Sequence, residues 1–182
     1  MLILPIETLP DSGIVRAFET DPGTFQILTE LTRSGESIFA RPVHTRLKAR
    51  PVGDIIEVSG DIRTTVGLAC CRCLVRFDHG LASDFSLVFS RHVSGESEME
   101  EGALVDLTEE QIGTVLFEGD VIDLTDIIQE QIVMALPMRP LCDPVCKGLC
   151  PECGANQNRG NCGCGRNQAG NPFSALKNLK LD

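Results

Sequence analysis

Residues 141–165 read LCDPVCKGLCPECGANQNRGNCGCG and contain six of the nine cysteines of the chain. Such a density of thiols indicates that covalent or metal chemistry holds this stretch together. In Cys150-Pro-Glu-Cys153-Gly, two thiolates can face one ion because the glycine permits a tight turn behind the second sulfur. Cys162 and Cys164 follow after eight intervening residues. The spacing therefore predicts a local zinc site made of these four cysteines.

A second site has to combine distant parts of the chain, because the other two cysteines of this stretch lack local partners. The remaining cysteines lie together in Cys70-Cys71-Arg72-Cys73. We predict a second zinc site that joins two pairs, Cys70 with Cys73 and Cys142 with Cys146. Cys71 is left outside both sites. A rival pairing, as in a zinc ribbon, joins the first pair to Cys150 and Cys153, and the spacing leaves it open.

Both zinc ions are expected to be structural. Four thiolates saturate a tetrahedral ion and leave no position for a reactive water molecule. The three histidines, His44, His79 and His92, occur singly, and no glycine-rich phosphate loop with its lysine is present. We therefore expect neither enzymatic activity nor a small-molecule substrate.

The cysteines also help to predict the cellular compartment of the protein. Disulfides form in oxidising compartments, and the first ten residues, MLILPIETLP, do not resemble an export signal because Pro5 and Glu7 interrupt the apolar run. No stretch approaches the roughly 18 apolar residues that span a membrane. We expect a cytoplasmic protein that does not associate with membranes.

Alternating apolar residues predict a sheet. Even-numbered positions of the first clear strand are apolar: Ile56, Val58, Ile62, Val66 and Leu68. Phe85, Leu87 and Phe89 repeat the pattern, so the two strands should form an antiparallel hairpin with the cysteines at 70–73 in its turn.

The fold class predicted is α+β: an antiparallel β-sheet with a packed helix and a Cys-rich zinc-binding C-terminal segment. The expected divisions are a β domain at 1–95, an acidic mobile segment at 96–120, a core-packing helix at 121–137, and a zinc segment with a short C-terminal helix at 138–182.

Charge is distributed unevenly. The formal net charge is -10, and residues 96–136 hold twelve acidic and no basic residues. We interpret this run as solvated surface, or alternatively as a surface that shields a basic ribosomal protein. The chain lacks the clustered cations of a general nucleic-acid surface, so RNA would be contacted locally or through a protein partner. The cations near the predicted sites are the candidate contacts: Arg72, Arg76, Arg159, Arg166, Lys177 and Lys180.

Four blocks of sequence resemble one family. They are the Cys70-x-x-Cys73 knuckle with Leu74 and Phe77, IDLTDIIQEQIVMALPMRPLC at 122–142, CKGLCPECGANQN at 146–158, and NPFSALKNLK at 171–180. In these blocks the chain resembles the large ribosomal RNA subunit accumulation protein family, also called the YceD family. The sequence departs from the family pattern at two positions. Cys71 is an additional cysteine in the knuckle, and Gln157 stands where many members have leucine.

The resemblance implies a bacterial ribosome biogenesis factor that supports 23S rRNA accumulation and assembly of the large subunit. Its partner would be 23S rRNA or a large-subunit precursor, contacted directly or through a ribosomal protein. Some family members keep the first cysteine pair and a later pair after the helix but lack the remaining cysteines. The family pattern thus favours joining Cys70 and Cys73 to Cys142 and Cys146. An alternative function is a thiol-based redox or metal sensor that acts through protein contacts.

Overall fold

The computed structural model describes residues 2–91 and 114–164. The strands are β1 (Ile3–Pro5), β2 (Ile14–Thr20), β3 (Ser37–Phe39), β4 (Val43–Val52), β5 (Ile55–Ala69), β6 (Arg76–Arg91), β7 (Thr114–Phe117) and β8 (Val121–Asp123). The helices are α1 (Gln26–Ser34) and α2 (Thr125–Met134), with a 3-10 turn at Pro22–Thr24. The predicted α+β class is confirmed.

The main sheet is organised around the long hairpin of β5 and β6. Its strand order is β2-β4-β5-β6-β7, and β3 extends the β4 edge by pairing with the far end of β5. The apolar even-numbered positions of β5 are buried, as the alternation predicts. Gly53 and Asp54 form the turn between β4 and β5, and Ala69 pairs with Arg76 where β5 leads into β6.

One pairing differs from the predicted antiparallel sheet. β6 and β7 run parallel, with Val88 opposite Thr114 and Arg91 opposite Phe117. A parallel pair requires a long connection, and the chain supplies residues 92–113 between the two strands. β7 also falls within 96–120, so part of the segment expected to be mobile is a strand. The GESEMEEG stretch and the short helix expected near the C-terminus lie outside the described residues.

Both helices pack on the core face of the sheet. Phe25 and Leu28 contribute to the core at α1, and Ile128 and Ile132 at α2. The buried side chain of Gln129 connects the helices, because its Oε1 accepts a hydrogen bond of 3.2 Å from the backbone N–H of Ile27. The core-facing role predicted for the second helix is therefore observed.

The helix predicted over 121–137 is shorter in the structure. Residues 121–123 form β8, which pairs with β1, and the helix ends at Met134, before Pro137. The Oδ1 of Asp123 accepts a hydrogen bond of 2.9 Å from the backbone N–H of Thr125, the first residue of α2. Hydrogen bonds from the side chain and backbone of Thr125 lower the pKa of Asp123.

The sequence prediction missed α1. Its signals are Leu28 and Leu31 at helical spacing and Gly35, which ends the helix in the left-handed conformation with φ 77°. Neither helix in the described part of the chain has the length and apolar character needed to cross a membrane.

Candidate metal centres

The turn between β5 and β6 is shaped to present two thiols. The backbone N–H of Cys70 donates to the carbonyl oxygen of Val75 at 2.9 Å, and that of Leu74 donates to the carbonyl oxygen of Cys70 at 2.9 Å. These bonds fold residues 70–75 into a tight knuckle at the end of the hairpin. Cys70 and Cys73 are both buried there.

The chain after α2 is fastened to this knuckle by hydrogen bonds. The backbone N–H of Cys71 donates to the carbonyl oxygen of Pro140 at 2.8 Å, and that of Leu149 donates to the carbonyl oxygen of Arg72 at 3.1 Å. The guanidinium of Arg72 donates to the carbonyl oxygen of Cys146 at 2.9 Å. Two segments about seventy residues apart in sequence thus lie side by side.

The first group of thiols, which we name the hairpin site, consists of Cys70, Cys73, Cys142 and Cys146. Their sulfur atoms all lie within 4.8 Å of one another. The Sγ atoms of Cys70 and Cys146 are 3.8 Å apart, and those of Cys73 and Cys142 are 3.6 Å apart. A tetrahedral ion with Zn–S bonds of about 2.3 Å places its sulfurs about 3.8 Å apart. The group could therefore hold one such ion, and Cys142 is its most accessible member.

Asn158 supports the hairpin site from outside the cysteine set. Its Nδ2 donates to the Sγ of Cys146 at 3.2 Å, and its Oδ1 accepts from the backbone N–H of Lys147 at 2.8 Å. Hydrogen bonds of this kind orient metal ligands and stabilise negative charge on sulfur. The sequence prediction missed this residue, since an asparagine twelve positions after a cysteine carries no recognisable signal.

The second group, which we name the tail site, consists of Cys150, Cys153, Cys162 and Cys164. Its sulfur atoms also lie within 4.8 Å of one another, but only Cys150 is buried. Cys150 donates its N–H to Ala155 at 2.8 Å, and Gly154 donates its N–H to Cys150 at 2.9 Å. This hydrogen-bond pattern repeats that of the knuckle in the hairpin site. Gly154 adopts φ 73°, the left-handed conformation that the turn requires.

The ionisation of the thiols shows why each group suits a cation. A hydrogen bond from the backbone of Cys142 is the main cause that lowers the pKa of Cys70 to about 6, and hydrogen bonding with Cys73 raises the pKa of Cys142 to about 12. In the tail site, a hydrogen bond from the backbone of Cys153 lowers the pKa of Cys150 to about 7. Hydrogen bonding with Cys153 raises the pKa of Cys164 to about 12. Within each group some thiols ionise readily while neighbours keep their protons, and a divalent cation removes the repulsion that opposes full ionisation.

The structure thus groups the eight cysteines as predicted and as the family resemblance favoured, and not as the rival zinc ribbon that the spacing left open. Cys71 is exposed and belongs to neither group. Two of the candidate RNA contacts make hydrogen bonds within the fold: Arg72 donates to the carbonyl oxygen of Cys146, and Arg76 donates to that of Gly35 at 2.9 Å. Arg159 is exposed beside the hairpin site. The remaining candidates lie outside the described residues: Arg166, Lys177 and Lys180.

Residues 58–180 match the model of a known protein family, described as "Large ribosomal RNA subunit accumulation protein YceD". The match covers about two thirds of the chain and includes every cysteine. The chain is a member of the YceD family. The family name refers to accumulation of large-subunit ribosomal RNA. The resemblance seen in the sequence is confirmed.

Curated relatives agree with this membership. The chain is 25% identical over 193 residues to the chloroplastic YCED homolog 1 of Arabidopsis thaliana, a match that covers 87% of this chain and 59% of that protein. It is 28% identical over 122 residues to the chloroplastic YCED homolog 1 of Zea mays, covering 57% of this chain and 41% of that protein. An uncharacterized protein of Mycobacterium tuberculosis (strain ATCC 25618 / H37Rv) is 30% identical over 108 residues, covering 59% of this chain and 48% of that protein.

This YceD-family chain therefore spans about half of the length of the curated relatives that it matches. No solved structure matches it significantly.

Proposed function

We propose that this chain is a non-catalytic, zinc-stapled factor that supports accumulation of 23S rRNA and assembly of the large ribosomal subunit. The observation that carries the metal part is the convergence of two complete sets of four thiols, each within 4.8 Å. Membership of the YceD family supports the ribosomal part. All-thiolate sets favour zinc over hard ions such as Mg²⁺ and Ca²⁺, which prefer oxygen ligands.

The proposed role of the zinc ions is structural. With four thiolates around each ion, no coordination position remains for a substrate or a reactive water molecule. The ion in the hairpin site would join the β5–β6 turn to the chain after α2, a segment that contributes few residues to the apolar core. A reducing compartment such as the cytoplasm keeps thiols in the form that binds metal. We propose it as the compartment in which the protein acts.

Two measurements test this function separately. Elemental analysis of protein purified without added metal should find about two zinc ions per chain, as expected for two four-thiolate sets. Deletion of the gene in its own organism should lower the ratio of 23S to 16S rRNA, and the intact gene should restore it. Protein free of metal would overturn the zinc assignment, while an unchanged ratio would overturn the ribosomal role.

A redox or metal sensor is the second candidate, because three thiols of the tail site and Cys71 are exposed. A sensor should lose its zinc and change its contacts under mild hydroperoxide treatment. Two thiolates would be oxidised to a disulfide while the hydroperoxide takes up two protons and is reduced to an alcohol and water. A structural protein should keep both ions under the same treatment. Zinc release followed with a chromogenic chelator distinguishes the two functions.

A further inference from the structure

The two cysteine groups are neighbours along the chain. Cys146 belongs to the hairpin site and Cys150 to the tail site, and three residues separate them. Residues 154–161, which we name the tail loop, lie between the first and the second cysteine pair of the tail site. An ion bound by both pairs would hold the two ends of this loop together. The position of the tail loop therefore depends on the tail site.

The tail loop folds back against the last part of the hairpin site. The backbone N–H of Gln157 donates to the carbonyl oxygen of Gly148 at 2.9 Å, and Asn156 forms an antiparallel bridge with Leu149. These contacts place the loop beside residues 146–149, which begin with a cysteine of the hairpin site. The loop that the tail site closes thus lies against the segment that completes the other site.

Asn158 is the residue of the tail loop that contacts a hairpin-site sulfur. Its Nδ2 donates to the Sγ of Cys146 at 3.2 Å, and its Oδ1 accepts from the backbone N–H of Lys147 at 2.8 Å. Asn156 holds this side chain in place, because its Oδ1 accepts from both the backbone N–H and the Nδ2 of Asn158 at 2.9 Å. A hydrogen bond to sulfur is stronger when the sulfur is a thiolate, the form that binds metal. Metal binding at the hairpin site therefore favours the docked position of the loop.

We propose that the two sites bind zinc cooperatively, with the tail loop as the coupling element and Asn158 as the contact that transmits the coupling. Each ion favours the same docked loop: one limits the freedom of its ends, and the other leaves a thiolate that accepts from Asn158. Because coupling between two sites is reciprocal, binding at either site should raise the zinc affinity of the other. Cooperative binding reduces the fraction of chains that carry one ion. This inference rests on the proposed function, since it requires both cysteine groups to bind zinc.

The test measures a coupling factor in the full-length chain by titration with zinc against a chelator of known affinity, with bound ions counted by native mass spectrometry. The double variant Cys162→Ser with Cys164→Ser gives the association constant of the hairpin site alone, and Cys70→Ser with Cys73→Ser gives that of the tail site alone. The coupling factor is the overall constant of the original chain for two ions, divided by the product of these two constants. It should be about ten or more, as is typical of coupled sites, whereas independent sites give unity.

Asn158→Ala tests the route of the coupling, because it keeps all eight cysteines of the two groups. When the same three constants are measured in chains that also carry Asn158→Ala, the coupling factor should fall close to unity. Asn161→Ala is the matched control, since it changes an exposed asparagine at the end of the same loop. It should keep the coupling factor of the original chain. The single variants Cys164→Ser and Cys142→Ser repeat the single-site measurements with a smaller change to the chain.

Two results would overturn this inference alone. One is an original chain that binds two zinc ions with a coupling factor of unity or below, and the other is a coupling factor that Asn158→Ala leaves unchanged. A chain that binds fewer than two zinc ions at saturation would overturn the proposed metal assignment together with the coupling. The number of bound ions, read from the same spectra, distinguishes these failures.

Discussion

At the scale of single residues, the structure shows supporting roles for two side chains that are not themselves predicted metal ligands. Arg72 lies inside the first cysteine motif, where a cation suggests nucleic-acid contact, yet its guanidinium binds the backbone of Cys146. Asn158 lies outside both motifs, yet it donates to a ligand sulfur. Residue type and spacing identify the thiols, whereas the roles of these polar neighbours depend on which backbone groups the fold brings close to them.

Asn158→Ala should weaken zinc binding at the hairpin site. The variant removes the hydrogen bond to the Sγ of Cys146 and the acceptor for the Lys147 N–H. Loss of such supporting contacts typically lowers metal affinity about 10- to 100-fold. Competition with a chelator of known affinity measures the change.

The control is Asn161→Ala, an exposed asparagine close to the tail site. Its zinc affinity should match that of the original chain. Equal affinities for all three proteins would show that Asn158 does not support the hairpin site.

At the scale of elements, the close approach of the paired strands β4 and β5 depends on one glycine, Gly60. A Cβ atom at Gly60 would collide with the carbonyl oxygen of Arg46 and would lie 3.0 Å from the Cα of Leu47. Both neighbours are backbone atoms of the paired strand, so they cannot move away as a flexible side chain can. Gly80, on β6, has no heavy atom within 4 Å of the same hypothetical Cβ.

Gly60→Ala should therefore destabilise the fold by about 1–3 kcal/mol, the usual cost of overpacking. Gly80→Ala provides the comparison, because it adds the same atom to the long hairpin in open space. Its free energy of unfolding should change by less than about 0.5 kcal/mol, or increase slightly. Urea denaturation of the three proteins gives both values, and equal stabilities would contradict the close approach at Gly60.

At the scale of the whole molecule, two metal ions would contribute unequally to the fold. The hairpin site joins two segments about seventy residues apart in sequence, at Cys70 and Cys73 and at Cys142 and Cys146, whereas the tail site closes within residues 150–164. Structural zinc in small peptides contributes about 10–16 kcal/mol, which exceeds the 5–15 kcal/mol stability of many domains. Loss of the hairpin ion should therefore release the segment after α2.

The double variant Cys70→Ser with Cys73→Ser should bind about one zinc ion in place of two. Limited proteolysis should then cut within residues 138–149, where the original chain should resist cleavage under the same conditions. Cys71→Ser is the control, since Cys71 is exposed and outside both groups, and it should keep full metal content and protection. A double variant with full zinc content and the same protection would contradict the cross-chain site.

The sequence by itself determined the features that depend on near neighbours. Alternating apolar residues placed β5 and β6, and the knuckle at Cys150 with its glycine and returning pair predicted the tail site, although the spacing left the zinc-ribbon pairing open. These patterns succeed because hydrogen bonding and burial within a strand or a tight turn follow from residues a few positions apart. The α1 helix was also accessible in this way, through Leu28, Leu31 and Gly35.

Only the tertiary structure decided which distant cysteines meet. Cys70 and Cys73 reach Cys142 and Cys146 because the long hairpin carries its turn beyond the core, and α2, packed on the same sheet, directs the following chain toward that turn. The parallel pairing of β6 with β7 is non-local in the same sense. Such contacts depend on strand register and on how helices pack against the sheet, so spacing along the chain could rank the two pairings of the thiols but could not choose between them.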